Sequence, residues 1–149
     1  LVQKACREML FPVDKLDKDA TGLLLFTNDT DLSKKLNHPR FQSKKLYHVE
    51  LNKPVTKSHL KQMIEGLDLD DGKTKVLNAT HVQDGTSREV GIEISSGKKQ
   101  VIHRMFEAMS LTVVKLDRVR FSGLTKKDLP RGMFRHLSEN EISFLKMTK

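Results

Sequence analysis

Asp14-Lys15-Leu16-Asp17-Lys18-Asp19-Ala20-Thr21-Gly22 runs directly into Leu23-Leu24-Leu25-Phe26-Thr27-Asn28-Asp29. A polar, acidic loop thus feeds a short, wholly apolar run. With Gly22 at its head and Asn28-Asp29 at its end, that run reads as a buried strand. A loop delivered by a buried strand is held rigidly, and a catalytic carboxylate needs such a seat. Asp17 is the candidate carboxylate.

Working outward, residues 2–9 read as a short helix, and Phe11-Pro12-Val13 reads as extended because Pro12 disfavours helix in the residue before it. On the other side, Asp29 or Thr30 caps a helix over residues 31–36 that His38-Pro39 ends. Residues 44–52 alternate, with Tyr47, Val49 and Leu51 on one face and Leu46, His48 and Glu50 on the other, the pattern of a half-buried strand. A helix follows over residues 56–65, with Leu60, Met63 and Ile64 on one side and Gly66 as its stop. Asp68-Leu69-Asp70-Asp71-Gly72 is a turn rather than a calcium loop, since Ala79 stands where the bidentate Glu is required.

Residues 76–82 and 89–94 form two strands joined through Asp84-Gly85. Ser95-Ser96-Gly97-Lys98-Lys99 leads into a helix that buries Val101, Ile102, Met105, Phe106 and Met109, leaving His103 and Arg104 at the margins of that arc. Residues 112–121 read as a strand in which Val114, Leu116 and Val119 are apolar and Lys115, Arg118 and Arg120 interleave. Ser138 and Glu141 form a capping box for a closing helix. Strands and helices mix without strict βαβ alternation. The expected class is therefore α+β, a largely antiparallel mixed sheet flanked by helices.

Composition narrows the function. The 149 residues suit one compact domain spanning residues 1–149, with 37% hydrophobic and 31% charged residues. No apolar run approaches the roughly 20 residues of a membrane span, and no secretory signal opens the chain. One cysteine, Cys6, excludes an internal disulfide and points to a reducing, cytoplasmic setting. The six histidines are scattered, so no metal-ligand spacing arises and no metal site is expected. A net charge of +8 favours a polyanionic partner, most directly nucleic acid. Aromatics make up only 5% with no Trp, which argues against a stacking platform for many single-stranded bases.

The stretch Lys15-Leu16-Asp17 through Gly22-Leu23-Leu24-Leu25-Phe26-Thr27 resembles the signature of the RsuA-type ribosomal RNA pseudouridine synthases, G-R-L-D followed closely by G-L-L-L-L-T. Further pieces follow in that family's order: Leu36-Asn37-His38-Pro39-Arg40, Lys45-Leu46-Tyr47-His48-Val49, Gly97-Lys98-Lys99, Arg104-Met105-Phe106-Glu107-Ala108, and Leu129-Pro130-Arg131-Gly132. The resemblance covers nearly the whole chain. It departs in three ways. Asp14-Lys15 replaces Gly-Arg, keeping a positive charge but losing the planar fork. Gln100-Val101-Ile102-His103-Arg104-Met105-Phe106 differs from Q-V-R-R-M-F, so either His103 or Arg104 takes the place of the family's active-site cation. Nothing corresponds to the S4-type RNA-binding domain that many members carry at the N-terminus.

The resemblance implies a pseudouridine-synthase fold with a central RNA-binding cleft, and isomerisation of uridine in RNA without metal, nucleotide or redox cofactor. It casts Asp17 as nucleophile, Tyr47 as the residue packing on the target base, and Arg104, with His103 beside it, as the carboxylate's cation. Such a carboxylate stays ionised in a closed pocket only if a cation or hydrogen-bond donors offset its desolvation. Lys15, Lys44, Lys45, Lys98, Lys99, Arg118 and Arg120 are candidates for phosphate contacts, with His38 and Arg40 in a loop beside the RNA. The implied partner is RNA, a ribosomal RNA stem-loop first and transfer RNA second, bound by a monomer. A reading from a different class stays open, motivated by Asp14-Lys15 and the altered helix start: a catalytically weak RNA-binding module on the same fold.

Overall fold

The computed structural model describes residues 9–13, 16, 20–37, 44–70, 72–95, 100–126, 129–130 and 132–147. Asp17, Lys15, His38, Arg40, Lys98 and Lys99, and all but the last residue of the expected helix over residues 2–9, lie outside the described residues.

β1 (Phe11–Val13), β2 (Thr21–Gly22) and β3 (Leu25–Thr27) open the chain, and β1 pairs antiparallel with β3 in a two-stranded sheet. The apolar run is thus shorter as a strand than expected, and β3 is half-buried rather than buried. The reason is local: among the described residues β3 has one strand partner, and its Leu25 packs at the fringe of a small cluster of Val13, Leu36 and Phe121, with Leu23 and Leu32 beside it. α1 (Thr30–Asn37) follows, started by Asp29, whose Oδ1 accepts the Leu32 amide at 3.0 Å.

β4 (Lys45–Leu51) is the central strand of the main sheet. α2 (Lys57–Glu65) is capped by Thr56: His59 donates its amide to Thr56 Oγ1 at 3.2 Å, and Thr56 donates its amide to His59 Nδ1 at 3.1 Å. Leu60 and Met63 of α2 are buried as expected, while Ile64 is exposed. The helix stops at Gly66, with φ near 115°. β5 (Leu67–Leu69) and β6 (Gly72–Thr74) pair as a separate hairpin. β7 (Asn78–His81) and β8 (Glu89–Ile94) are joined by a loop in which Asp84 has a positive φ of 63°.

α3 (Val101–Ala108) comes next, then β9 (Val113–Phe121), β10 (Leu124–Thr125) and α4 (Glu139–Met147). The main sheet has six strands in the order β10-β9-β4-β8-β7, with β2 added parallel alongside β9. Every other pairing in it is antiparallel. The expected class, α+β with a largely antiparallel mixed sheet, is the observed one. The main core unites Val49 and Leu51 of β4, Val90, Ile92 and Ile94 of β8, Leu116 of β9, and Val101, Ile102, Met105 and Phe106 of α3. Burying each such side chain contributes about 1.5–3 kcal/mol.

β9 departs from simple alternation. Its register against β4 shifts twice: Leu46 faces Arg120 while Tyr47 faces Arg118, and Glu50 faces Lys115 while Leu51 faces Val113. Val119 and Val114 are the extra residues, each resetting which side the strand presents. Val114 is consequently 56% exposed, although the alternation pattern counted it among the apolar positions. Arg118 moves the other way. Expected as a groove cation, it is fully buried, in phase with Leu116.

At the C-terminal end, Ser138 donates its amide to Glu141 Oε1 at 2.8 Å and Glu141 returns its amide to Ser138 Oγ at 3.2 Å, the expected capping box. Arg135 grips the same carboxylate with two bonds of 2.8 Å. Those contacts hold the Glu141 carboxyl at about 2, the Arg135 guanidinium being the largest cause. Leu145 anchors α4 in the interior, and Lys35 of α1 donates to the Lys146 carbonyl at 2.9 Å.

Candidate active site

The segment that leaves the acidic loop docks onto β9. Thr21 and Gly22 run parallel to Asp117 and Arg118. The Leu23 amide donates to the Arg118 carbonyl at 2.8 Å, and Arg118 Nε donates to the Leu23 carbonyl at 2.8 Å. Gly22 explains itself here. Its φ is +113°, and a Cβ at this position would lie 2.3 Å from the Arg118 carbonyl oxygen and 2.5 Å from the Arg118 nitrogen. Only glycine lets the two backbones approach so closely.

Outside this contact, Thr21 Oγ1 donates to Asp117 Oδ1 at 3.0 Å and Lys126 Nζ bonds Asp117 Oδ2 at 2.5 Å. Ala20, three residues past Asp17, packs against the main core.

Tyr47 lies on β4 directly across from Arg118 of β9 and from Ile92 of β8. Residues directly opposite in an antiparallel pair share a face. Tyr47 is half-buried and packs against the main core. Its half-exposed state suits a side chain that lines a cleft from the core side. The expected inward phase of Tyr47, Val49 and Leu51 is the observed one.

α3 covers the same side of the sheet. Val101, Ile102, Met105 and Phe106 are buried beneath it, and the stripe leaves His103 and Arg104 half-buried at its margins. The helix begins at Gln100, which holds a left-handed φ of 50° and makes no side-chain cap bond. Both candidate cations therefore sit in the first turn, where amide dipoles favour a nearby anion.

The basic residues divide. Lys44 is exposed at the head of β4, where its carbonyl accepts the Ser122 amide at 2.8 Å. Arg120 is exposed on the outward face. Lys45 is 5% exposed and Arg118 is fully buried, so neither lies on a solvent-facing groove wall as the sequence reading expected. Both point into the interior because β4 and β9 pair Lys45 with Phe121 and Tyr47 with Arg118. The Arg118 guanidinium carbon stands 4.9 Å from the Phe121 ring centroid, a cation–π contact inside the protein.

Arg118 and Lys45 are the candidate phosphate contacts that sequence reasoning placed wrongly. The signal was present: Leu116 and Arg118 are two apart and share a strand face until Val119 interrupts. Among the described residues, no group of three or more His, Cys, Asp or Glu is placed to hold a metal ion, and no helix is long and apolar enough to cross a membrane.

Comparison with known proteins gives a consistent result. The profile of the RNA pseudouridylate synthase family matches residues 1–108. Ribosomal large subunit pseudouridine synthase B of Bacillus subtilis is 31% identical over 142 residues, covering 93% of this chain and 58% of the relative. Ribosomal small subunit pseudouridine synthase A of Escherichia coli K12 is 36% identical over 135 residues, covering 90% and 58%. A crystal structure of a pseudouridylate synthase superposes with a TM-score of 0.81 at 31% identity, over 91% of this chain and 59% of that one. The chain thus spans a little under three fifths of the length of these two curated relatives.

Proposed function

The chain belongs to the RNA pseudouridylate synthase family, and from that premise we propose that it isomerises a uridine of RNA, ribosomal RNA first, to pseudouridine. The observation that carries this reading is the joint at β9: the strand that follows Asp17 docks across from Tyr47, and α3 lies over the same side of the sheet. Relatives named as ribosomal pseudouridine synthases over nine tenths of the chain support it.

In the proposed reaction the N1–C1′ glycosidic bond of the uridine breaks, the uracil turns, and C5 bonds to C1′. The C5 proton leaves and N1 gains one, so the net change is an isomerisation. Asp17 supplies the carboxylate at the sugar. Tyr47 packs on the extruded base and stands ready as a proton acceptor at C5. A cation holds the carboxylate ionised, and Arg104 and His103 of α3 are the two candidates from that helix. A target uridine in a loop or bulge costs least to unstack. Lys44 and Arg120, both exposed, with Lys15, Lys98, Lys99, His38 and Arg40, are the proposed phosphate contacts, giving affinity that falls with salt. The expected setting is cytoplasmic, and the expected state is a monomer.

The test is incubation with ribosomal RNA transcripts, followed by mapping of carbodiimide-resistant adducts. Wild type should mark a uridine, and Asp17→Asn should not, although it folds and binds RNA as before. Turnover retained in Asp17→Asn refutes the nucleophile. No product with wild type, together with RNA affinity unchanged in Asp17→Ala, favours the RNA-binding module suggested by Asp14-Lys15 and the altered helix start.

A further inference from the structure

Aromatic side chains are scarce in this chain, and among the described ones Phe144 of α4 is the most exposed, at 56%. A single apolar side chain in water needs no explanation by itself. Its surroundings do. β9 and β10 are joined by a two-residue turn, Ser122-Gly123, with Phe121 opposite Leu124 and both turn residues at positive φ, 47° and 87°. Such a turn is tight and holds its shape. A Cβ added at Gly123 would meet Phe144 Cε1 at 3.6 Å, so the ring edge lies over the one turn residue that has no side chain. Leu145, buried next to it in the chain, anchors the helix that carries the ring. The ring is backed by fixed structure along one edge and otherwise largely open to water.

Two exposed cations share this neighbourhood. The Ser122 amide donates to the Lys44 carbonyl at 2.8 Å, which sets Lys44 beside the turn. Arg120 stands opposite Leu46, so Lys44 and Arg120 are diagonal neighbours across β4 and β9, within reach of each other's long side chains. The carboxylates of that face are engaged or set back: Asp117 bonds Thr21 and Lys126, and Glu93 stands beyond Leu46 on β8.

We propose that Phe144 is a stacking platform for one unpaired nucleotide of the RNA, with Lys44 and Arg120 holding the phosphates on either side of it. A nucleotide joins a flat apolar base to an anion, and an exposed ring beside two cations complements both parts. An apolar peptide would satisfy the ring and leave the cations without a counter-charge. Lys44 precedes Tyr47 by three residues along β4, about 10 Å at strand rise. The nucleotide on Phe144 therefore flanks the uridine at Tyr47 rather than replacing it; in this the inference rests on the proposed function above. Every base has a stacking face, so the platform reads whether the flank is unpaired and not which base it carries.

The experiment is binding of a single-stranded oligouridine of about 12 nucleotides, and of an RNA duplex of equal length, by wild type, Phe144→Ala, Phe144→Leu and Phe144→Tyr across a salt series. Phe144→Ala and Phe144→Leu should each weaken the single strand by about tenfold, the scale of one lost base stack. Duplex affinity should hold, and so should the salt slope, since no phosphate contact is removed. Phe144→Tyr should bind as wild type does. Ultraviolet cross-linking of wild type should attach uracil to the peptide that contains Phe144.

Wild-type affinity for oligouridine in Phe144→Leu overturns the proposal; that variant keeps an apolar contact over Gly123 and decides the matter if the Ala protein does not fold. An equal loss on duplex and single strand overturns it too, since that reports a damaged surface and not a missing stack. So does a wild type that self-associates while Phe144→Ala is monomeric with its RNA affinity intact, which gives the ring to a second copy of the chain. Protein that binds oligouridine through Phe144 but forms no pseudouridine in ribosomal RNA defeats the proposed function and leaves the platform standing. Normal turnover together with RNA affinity indifferent to Phe144 defeats the platform alone.

Discussion

Arg118 and Arg120 are two residues apart on β9, yet one is fully buried and the other exposed. Lys45 and Lys44 repeat the contrast at the head of β4. The inward face of this strand pair carries Lys45, Tyr47, Val49, Leu116, Arg118 and Phe121; the outward face carries His48, Glu50, Lys115 and Asp117. On the outward face charges pair across the strands in water, as Lys115 does with Glu50 at 3.9 Å, and such pairs are worth little. On the inward face the same chemistry is dry, and Arg118 uses its Nε in a specific contact with the Leu23 carbonyl. Net charge advertises both faces equally. Only the register of the strands separates cations that can meet RNA from cations that organise the interior.

Several measurements can break or sharpen this contrast. Arg118→Ala should cost about 3–5 kcal/mol of stability in urea unfolding, because it strands the Leu23 carbonyl and opens a cavity. Arg120→Ala should stay within about 0.5 kcal/mol. Equal effects would mean that the inward face is wetter than the packing indicates. Glycines divide in the same way. Gly22→Ala meets the Arg118 backbone at 2.3 Å in a left-handed conformation, for a loss on the order of 3 kcal/mol. Gly132→Ala, with φ near 82° and nothing within 4 Å, should cost about 1 kcal/mol through backbone strain alone.

Leu116→Ala should destabilise by about 2–5 kcal/mol and Val114→Ala by no more than about 0.5, although the two residues are neighbours in an alternating pattern. Lys44→Ala should reduce the slope of log affinity for RNA against log salt by about 0.7, the loss of one phosphate contact, while Lys45→Met should leave the slope alone. The smallest effect is at the periphery. Glu141 is held at about 2 in the folded chain, against an ordinary 4.5. A depressed carboxyl stabilises above its unfolded value, so the support it lends α4 should be complete above pH 4.5 and fade as pH falls towards 2. Glu141→Gln should flatten that part of the stability profile.

Much of this was legible in the chain. The alternation of Tyr47, Val49 and Leu51 gave the correct inward face, and the apolar arc of α3 correctly left His103 and Arg104 at its margins, because periodicity reports burial directly. The capping box at Ser138 and the stop at Gly66 were local chemistry and needed no tertiary knowledge. What escaped was tertiary. The bulges at Val114 and Val119 exist only relative to β4, so alternation along β9 misplaced Val114, while Arg118, in phase with Leu116, was assigned to solvent by its charge. Ile64 was placed with the core by its spacing, yet α2 buries only Leu60 and Met63. The run after Gly22 read as a buried strand because four consecutive apolar side chains suggest burial on both faces. Among the described residues β3 instead pairs only with β1, a feature of topology that no window of sequence contains.

The measurement that bears most directly on the account is nucleotide-resolution mapping of pseudouridine in ribosomal RNA from cells whose own copy is replaced by wild type or by Asp17→Asn. The account requires a uridine that is converted with wild type and left unmodified with the variant at equal protein level. An unchanged pseudouridine map in the Asp17→Asn cells would contradict it.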